Sequence, residues 1–205
     1  MRIAELSSRS GVPVPTIKYY LREGLLPSGE VTSPNQARYA DSHVFRLRLV
    51  RVLLDAGGLS IAEIGRLLAE LDRPDPDVPA ALSETVRPGP SAPPPADPRI
   101  RAAAATTVGE LIGRRGWDVD PENPAWRAAT DLVVALRQVG LDADVDALDA
   151  YARAAEGSVE ADRRLAPIAN RHAGSACHHA VAAILGDGLL AALRRLADQG
   201  RTRAC

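Results

Sequence analysis

The sequence predicts an all-α protein divided in two by a proline-rich stretch. Three observations lead there. Ala, Leu and Arg, all good helix formers, are plentiful, and runs of β-branched residues alternating with polar ones are absent. Apolar residues instead recur three and four apart, as on one face of a helix. Nine of the 16 prolines fall between Pro74 and Pro98, which no long helix can cross. A length of 205 residues accommodates two small domains. We therefore expect a compact head over 1–73, a linker over 74–98 and a helical bundle over 99–205.

In the head, Ile3 and Leu6 share a helical face, and Gly11 supplies a stop. Val12-Pro13-Val14-Pro15 forces a turn, with Pro15 tolerated in the first turn of a second helix. That helix, Thr16-Ile17-Lys18-Tyr19-Tyr20-Leu21-Arg22, ends near Gly24 and is followed by apolar Leu25-Leu26. Helix, tight turn, helix is a helix-turn-helix pattern. The polar stretch from Pro27 to Tyr39 suits either a two-stranded wing or a loop. A third helix from about Asp41 carries Val44, Leu47, Val50 and Leu54 on one face, and Gly57-Gly58 closes it. Arg46, Arg48 and Arg51 cannot all face one way on it, so some are simply solvated. Ser60 and Glu63 form a capping box, flanked by Leu59 and Ile64 as a hydrophobic staple, and open a fourth helix.

The linker admits at most a short turn around Ala80 to Val86, with its later half extended and mobile. Beyond it, Ile100, Ala104, Val108 and Leu111 mark a helix stopping near Gly116. Asn123-Pro124 is a cap and first-turn pair opening a helix to Gly140, and Asp144 caps another reaching Gly157. Ser158 begins a further helix interrupted at Pro167, and a last one runs from about Ser175 to Ala197.

The formal net charge is −1, but 1–73 carry ten basic and eight acidic residues, a net of +2, leaving −3 for the remainder. A nucleic-acid partner is therefore argued from placement rather than from totals. Lys18 and Arg22 lie one turn apart with Tyr19 beside them, which suits a polyanion. Cys177 and Cys205 give no disulfide framework and fit a reducing cytosol. No apolar run reaches the roughly 18 residues of a membrane span, and the N-terminus lacks a signal-peptide core. A cytoplasmic protein without a membrane partner is expected.

Ile3-Ala4-Glu5-Leu6, Gly11-Val12, Thr16-Ile17-Lys18-Tyr19-Tyr20, Gly24-Leu25-Leu26-Pro27, Arg38-Tyr39 and Leu59 to Ile64 follow one another in a specific order and spacing. On these motifs the first 71 or so residues resemble the DNA-binding domain of the MerR family of bacterial transcription regulators. The resemblance implies a winged helix-turn-helix, and so an all-α fold with a small β wing. It also implies a homodimer bound to double-stranded promoter DNA, RNA polymerase as a partner, and a ligand-driven distortion of the DNA. The DNA-contact candidates are Thr16, Lys18, Tyr19, Tyr20, Arg22, Arg38 and Tyr39, with Tyr20 and Tyr39 equally suited to packing. Lys18 stands where the family usually has arginine; it keeps the charge without the bidentate fork, favouring phosphate over guanine. Pro74, Pro76 and Pro79 fall where the family has a long dimerisation helix.

The helices beyond Arg99 are loosely similar, by composition, to the effector-binding and dimerising half of TetR-type regulators. That likeness implies that the last helix, with Leu189, Leu190 and Leu193, pairs with its copy. Trp117, Trp126 and Tyr151 are candidate lining for a small-molecule effector pocket, although tryptophans at such corners more often anchor a core. His172, Cys177, His178 and His179 are the cluster with metal-ligand chemistry, but CxxC and HxxxH spacings are missing, and no metal or cofactor is expected. Asp118, Asp120 and Glu122 lack the glycine and terminal glutamate of a calcium loop. With neither a nucleophile-base set nor a phosphate-cradling loop, the chain does not read as an enzyme. The function expected is a sequence-specific, ligand-responsive regulator. The alternatives are a DNA-binding head with a ligand-free interaction tail, or a metal or redox sensor using His172, Cys177, His178 and His179.

Overall fold

A computed structural model describes residues 1–33, 36–85, 96–165 and 174–202. It is helical throughout apart from one antiparallel two-stranded sheet. Its elements are α1 (Ile3–Ser10), α2 (Val14–Arg22), β1 (Glu30–Ser33), β2 (Gln36–Arg38), α3 (Asp41–Asp55), α4 (Ile61–Leu71) and α5 (Val78–Thr85). They continue with α6 (Pro98–Arg115), α7 (Pro124–Gln138), α8 (Val145–Arg164) and α9 (Ser175–Thr202). The all-α class with a small wing is thereby established, and the polar stretch after Pro27 takes the wing form.

The chain packs as two compact units, Met1–Leu82 with Asp162–Cys205, and Ser83–Ala161. In the first unit Leu6, Ile17, Leu25, Leu47, Leu53 and Ile64 are completely buried. Each contributes about 1.5–3 kcal/mol of transfer free energy. α3 buries Val44, Leu47, Val50 and Leu53, with Leu54 turned to the margin. The start of α4 is as its sequence requires: the Ser60 hydroxyl accepts from the Glu63 N–H (3.3 Å), and the Glu63 carboxylate accepts from the Ser60 N–H (2.8 Å). Leu59 and Ile64 are buried beside it as the staple.

The second unit is built from small residues. Ala104, Val108, Val133, Val134 and Ala143 form its core, with Trp126 and Leu136 packed against them. Asn123 caps α7 by accepting from the Ala125 N–H (2.8 Å), and Asp144 accepts from the Ala147 N–H (2.7 Å) at the start of α8.

Four expectations change. α5 is a helix of two turns rather than a short turn, because the Asp77 carboxylate caps it by accepting from the Ala80 N–H (3.0 Å) and Pro79 sits in its first turn, where proline is tolerated. α8 runs unbroken past Gly157, which does not adopt the left-handed conformation of a helix stop, so Ser158 begins nothing; Pro167 lies outside the described residues. α9 continues to Thr202. Its Ser175–Gly200 stretch, with mean hydropathy 1.5 over its most apolar window, is long and apolar enough to cross a membrane, contrary to the expectation that no segment would be.

Candidate nucleic-acid interface

α2 is amphipathic in a way that sorts its side chains cleanly. Residues advance by about 100° each along an α-helix, so Ile17 and Tyr20 share one side while Lys18, Tyr19 and Arg22 share the opposite one. Ile17 and Tyr20 are buried, and Lys18, Tyr19 and Arg22 are exposed, with Thr16 half-buried at their edge. The result is a stripe of two cations and a phenol on a helix whose other face is fixed in the core. Past Arg22 the chain turns sharply at Gly24, whose φ of 73° a side chain disfavours, and plugs Leu25 and Leu26 into the core.

The wing lies next in sequence. β1 and β2 pair antiparallel, with Glu30 opposite Arg38 and Val31 opposite Ala37. Side chains alternate between faces along a strand, so Arg38 points outward and Tyr39, the next residue, points inward. Gly29 packs so tightly at the wing's base that a Cβ there would stand 2.6 Å from the Arg38 carbonyl oxygen and 3.0 Å from the Tyr39 ring. Val31 is 75% exposed, an apolar side chain offered to solvent on the wing. Sequence reasoning missed it because an isolated valine in a polar stretch carries no signal.

Two of the DNA-contact candidates take packing positions. Tyr20 is buried in the head, and burial pushes its phenol above the usual range. Tyr39 is also buried: its ring meets His43 edge-on at 5.2 Å, and its N–H donates to the Met1 carbonyl (2.8 Å). The His43 Nδ1 accepts from the Ala40 N–H (3.1 Å), fixing the start of α3 beneath the wing. Thr16, Lys18, Tyr19, Arg22 and Arg38 remain accessible at least in part.

Of the α3 arginines, Arg51 pairs with Asp55 (2.8 Å) and Arg48 donates to the Arg9 carbonyl (2.9 Å), both at the surface. Arg46 is different, with a side chain only 14% exposed. Its Nε donates to the Leu25 carbonyl (3.0 Å), and its two terminal nitrogens hold the Asp72 carboxylate (2.9 and 2.6 Å).

The three effector candidates, Trp117, Trp126 and Tyr151, lie in the second unit. Trp126 packs on the core cluster, and Trp117 donates its indole N–H to Glu156 (3.0 Å), whereas Tyr151 is 58% exposed. Two clefts among the described residues lie in the first unit. One of about 590 Å³ is lined by Val78, Pro79, Asp162, Leu165, His178 and His179 among others. Another of about 220 Å³ is bounded by Phe45, Arg46, Leu49, Leu71 and Cys177 among others. Burial pushes the Cys177 thiol up, away from the thiolate form that redox chemistry uses. His172 lies outside the described residues, and among those described no group of three or more His, Cys, Asp or Glu side chains is arranged to hold a metal.

Residues 1–71 match the family model described as "MerR HTH family regulatory protein". Over 72 residues the chain is 38% identical to the mercuric resistance operon regulatory protein of Bacillus cereus, covering 35% of this chain and 54% of that protein. The chain thus spans about half the length of this curated relative. The crystal structure of the putative transcriptional regulator SCO5550 from Streptomyces coelicolor A3(2) is similar over nearly the whole length. It has a TM-score of 0.73 at 32% identity, covering 98% of this chain and 96% of that one.

Proposed function

We propose that this chain, which carries a MerR-family helix-turn-helix domain over residues 1–71, acts as a ligand-responsive homodimer controlling transcription from a promoter. The observation that carries the reading is the sorting of α2, whose Lys18, Tyr19 and Arg22 face solvent while Ile17 and Tyr20 anchor the opposite side. Two such helices, from two copies, enter successive major grooves about 34 Å apart, and the Arg38 wings flank them on the backbone. Lys18 and Arg22 neutralise phosphate, and sequence discrimination comes in part from the DNA's willingness to bend. The compartment this requires is the one that holds the chromosome, and RNA polymerase is the partner the promoter supplies.

Dimerisation is assigned to α9. Leu189, Leu190, Leu193 and Leu196 are all at least 40% exposed, and they recur at spacings of three, four and seven along a helix of 28 residues. Such a stripe is the seam of a helix pair. It supplies what the proline-rich stretch after α4 cannot, since α5 has only 8 residues.

The effector site is assigned to the 590 Å³ cleft of α5, α8 and α9, a size ordinary for small ligands, in preference to the Trp117, Trp126 and Tyr151 surface. The metal named in the relative's description is not carried over, since the match there covers the head alone. The test of the whole reading is mapping of bound DNA across the chromosome, with sequences independently enriched from a random library. Recovery of one shared inverted repeat is the expected result; recovery of no common sequence would overturn it.

A further inference from the structure

The geometry points to Arg46 as a positioning residue for DNA recognition, one that fixes the exit of α2 against the end of α4. This rests on the reading of α2 as the helix that meets DNA. The segment leaving α2 is held by its backbone as well as by its apolar side chains. The Leu25 and Leu26 N–H groups both return to the Tyr20 carbonyl (2.9 and 3.3 Å), which closes the turn. The Leu25 carbonyl accepts from the Arg46 Nε (3.0 Å).

Arg46 is itself held. Its two terminal nitrogens grip both oxygens of Asp72, and the Asp72 N–H in turn donates to the Leu68 carbonyl (3.0 Å) at the end of α4. A guanidinium gripped through a two-pronged pair has the direction of its Nε–H set as well, because the group is planar and rigid. One side chain on α3 therefore ties the last carbonyl of the α2 turn to the end of α4. A lysine there keeps the charge but cannot make the two-pronged grip while donating to Leu25.

Attraction of Lys18 and Arg22 to phosphate tolerates a small tilt of α2; registration of side chains against base edges and of α2 against the Arg38 wing does not. Arg46 thus contributes to discrimination between sequences and leaves the general attraction to DNA alone.

The test uses the full chain with two duplexes of equal length, one enriched from a random library by the unmodified protein and one of random sequence. Arg46→Lys and Asp72→Asn are each expected to narrow the affinity ratio between the duplexes about fivefold, the worth of about one hydrogen bond, with random-duplex binding little changed. Amide exchange at Leu25 and Leu26 in Arg46→Lys is expected to quicken about tenfold while Gly11 in α1's cap stays as it was. An unchanged ratio in both variants, an equal loss on both duplexes, or unchanged exchange at Leu25 and Leu26 overturns the inference. Where Arg46→Lys does not fold, Asp72→Asn at the more exposed end of the pair carries the same measurements. If Lys18→Ala with Arg22→Ala leaves both affinities intact, it is the reading of α2 that fails, and exchange alone then judges Arg46.

Discussion

Trp117 and Glu156 are joined by a 3.0 Å hydrogen bond from the indole N–H to a carboxylate oxygen, linking the turn after α6 to α8. Arg115 pairs with the same carboxylate and also approaches Asp149 (3.5 Å). The Arg115 guanidinium, with help from Trp117, holds the Glu156 carboxyl below its ordinary value of 4.5. A carboxyl whose folded value is lowered gives stability that is complete above its unfolded value and lost as pH falls through the folded one. The second unit is therefore expected to lose stability on acidification below about pH 4.5, and Glu156→Gln to remove that part of the pH dependence. Tryptophan fluorescence during urea unfolding at stepped pH checks this directly, since Trp117 and Trp126 are the chain's two tryptophans.

The capping box predicts a local cost. Ser60→Ala removes the acceptor for the Glu63 N–H and is expected to destabilise the head by about 1 kcal/mol. Glu63→Ala combined with it should cost less than the sum of the two alone, because the bonds are reciprocal. Urea midpoints of the three variants test both statements.

Adjacent tyrosines on α2 are expected to behave in opposite ways. Tyr20→Ala empties a core position and should cost about 3 kcal/mol of stability. Tyr19→Ala should leave stability nearly unchanged while weakening DNA binding roughly fivefold, as for one lost hydrogen bond. Thermal melts and binding titrations on the same samples separate the two.

What the sequence conveyed well was punctuation. Ser60 with Glu63, Asn123 before Pro124, and Asp144 each start a helix by satisfying a specific N–H, and that chemistry is local. Gly157 misled because a glycine stops a helix only when its backbone turns left-handed, which neighbouring packing decides. Arg46 was indistinguishable from Arg48 and Arg51, since Leu25 and Asp72 lie 21 and 26 residues from it. Tyr20 and Tyr39 carry the motif of a DNA contact and the burial of a core residue, and only the fold tells these apart.

The α9 seam predicts an oligomeric state. Leu193→Asp places a charge at the middle of the exposed leucine stripe and should convert a dimer into a monomer without unfolding the head. Sedimentation velocity gives the mass, and far-ultraviolet circular dichroism confirms the retained helix. A variant that sediments as the parent does would relocate the dimer contact.

The central claim is that α2 meets DNA through Lys18 and Arg22, and salt dependence tests it most directly. Affinity for the enriched duplex is expected to fall steeply with salt, and Lys18→Ala with Arg22→Ala to reduce the slope of log affinity against log salt by about 2 for each head engaged. A double variant that binds as tightly as the parent, with the same slope, would contradict the account.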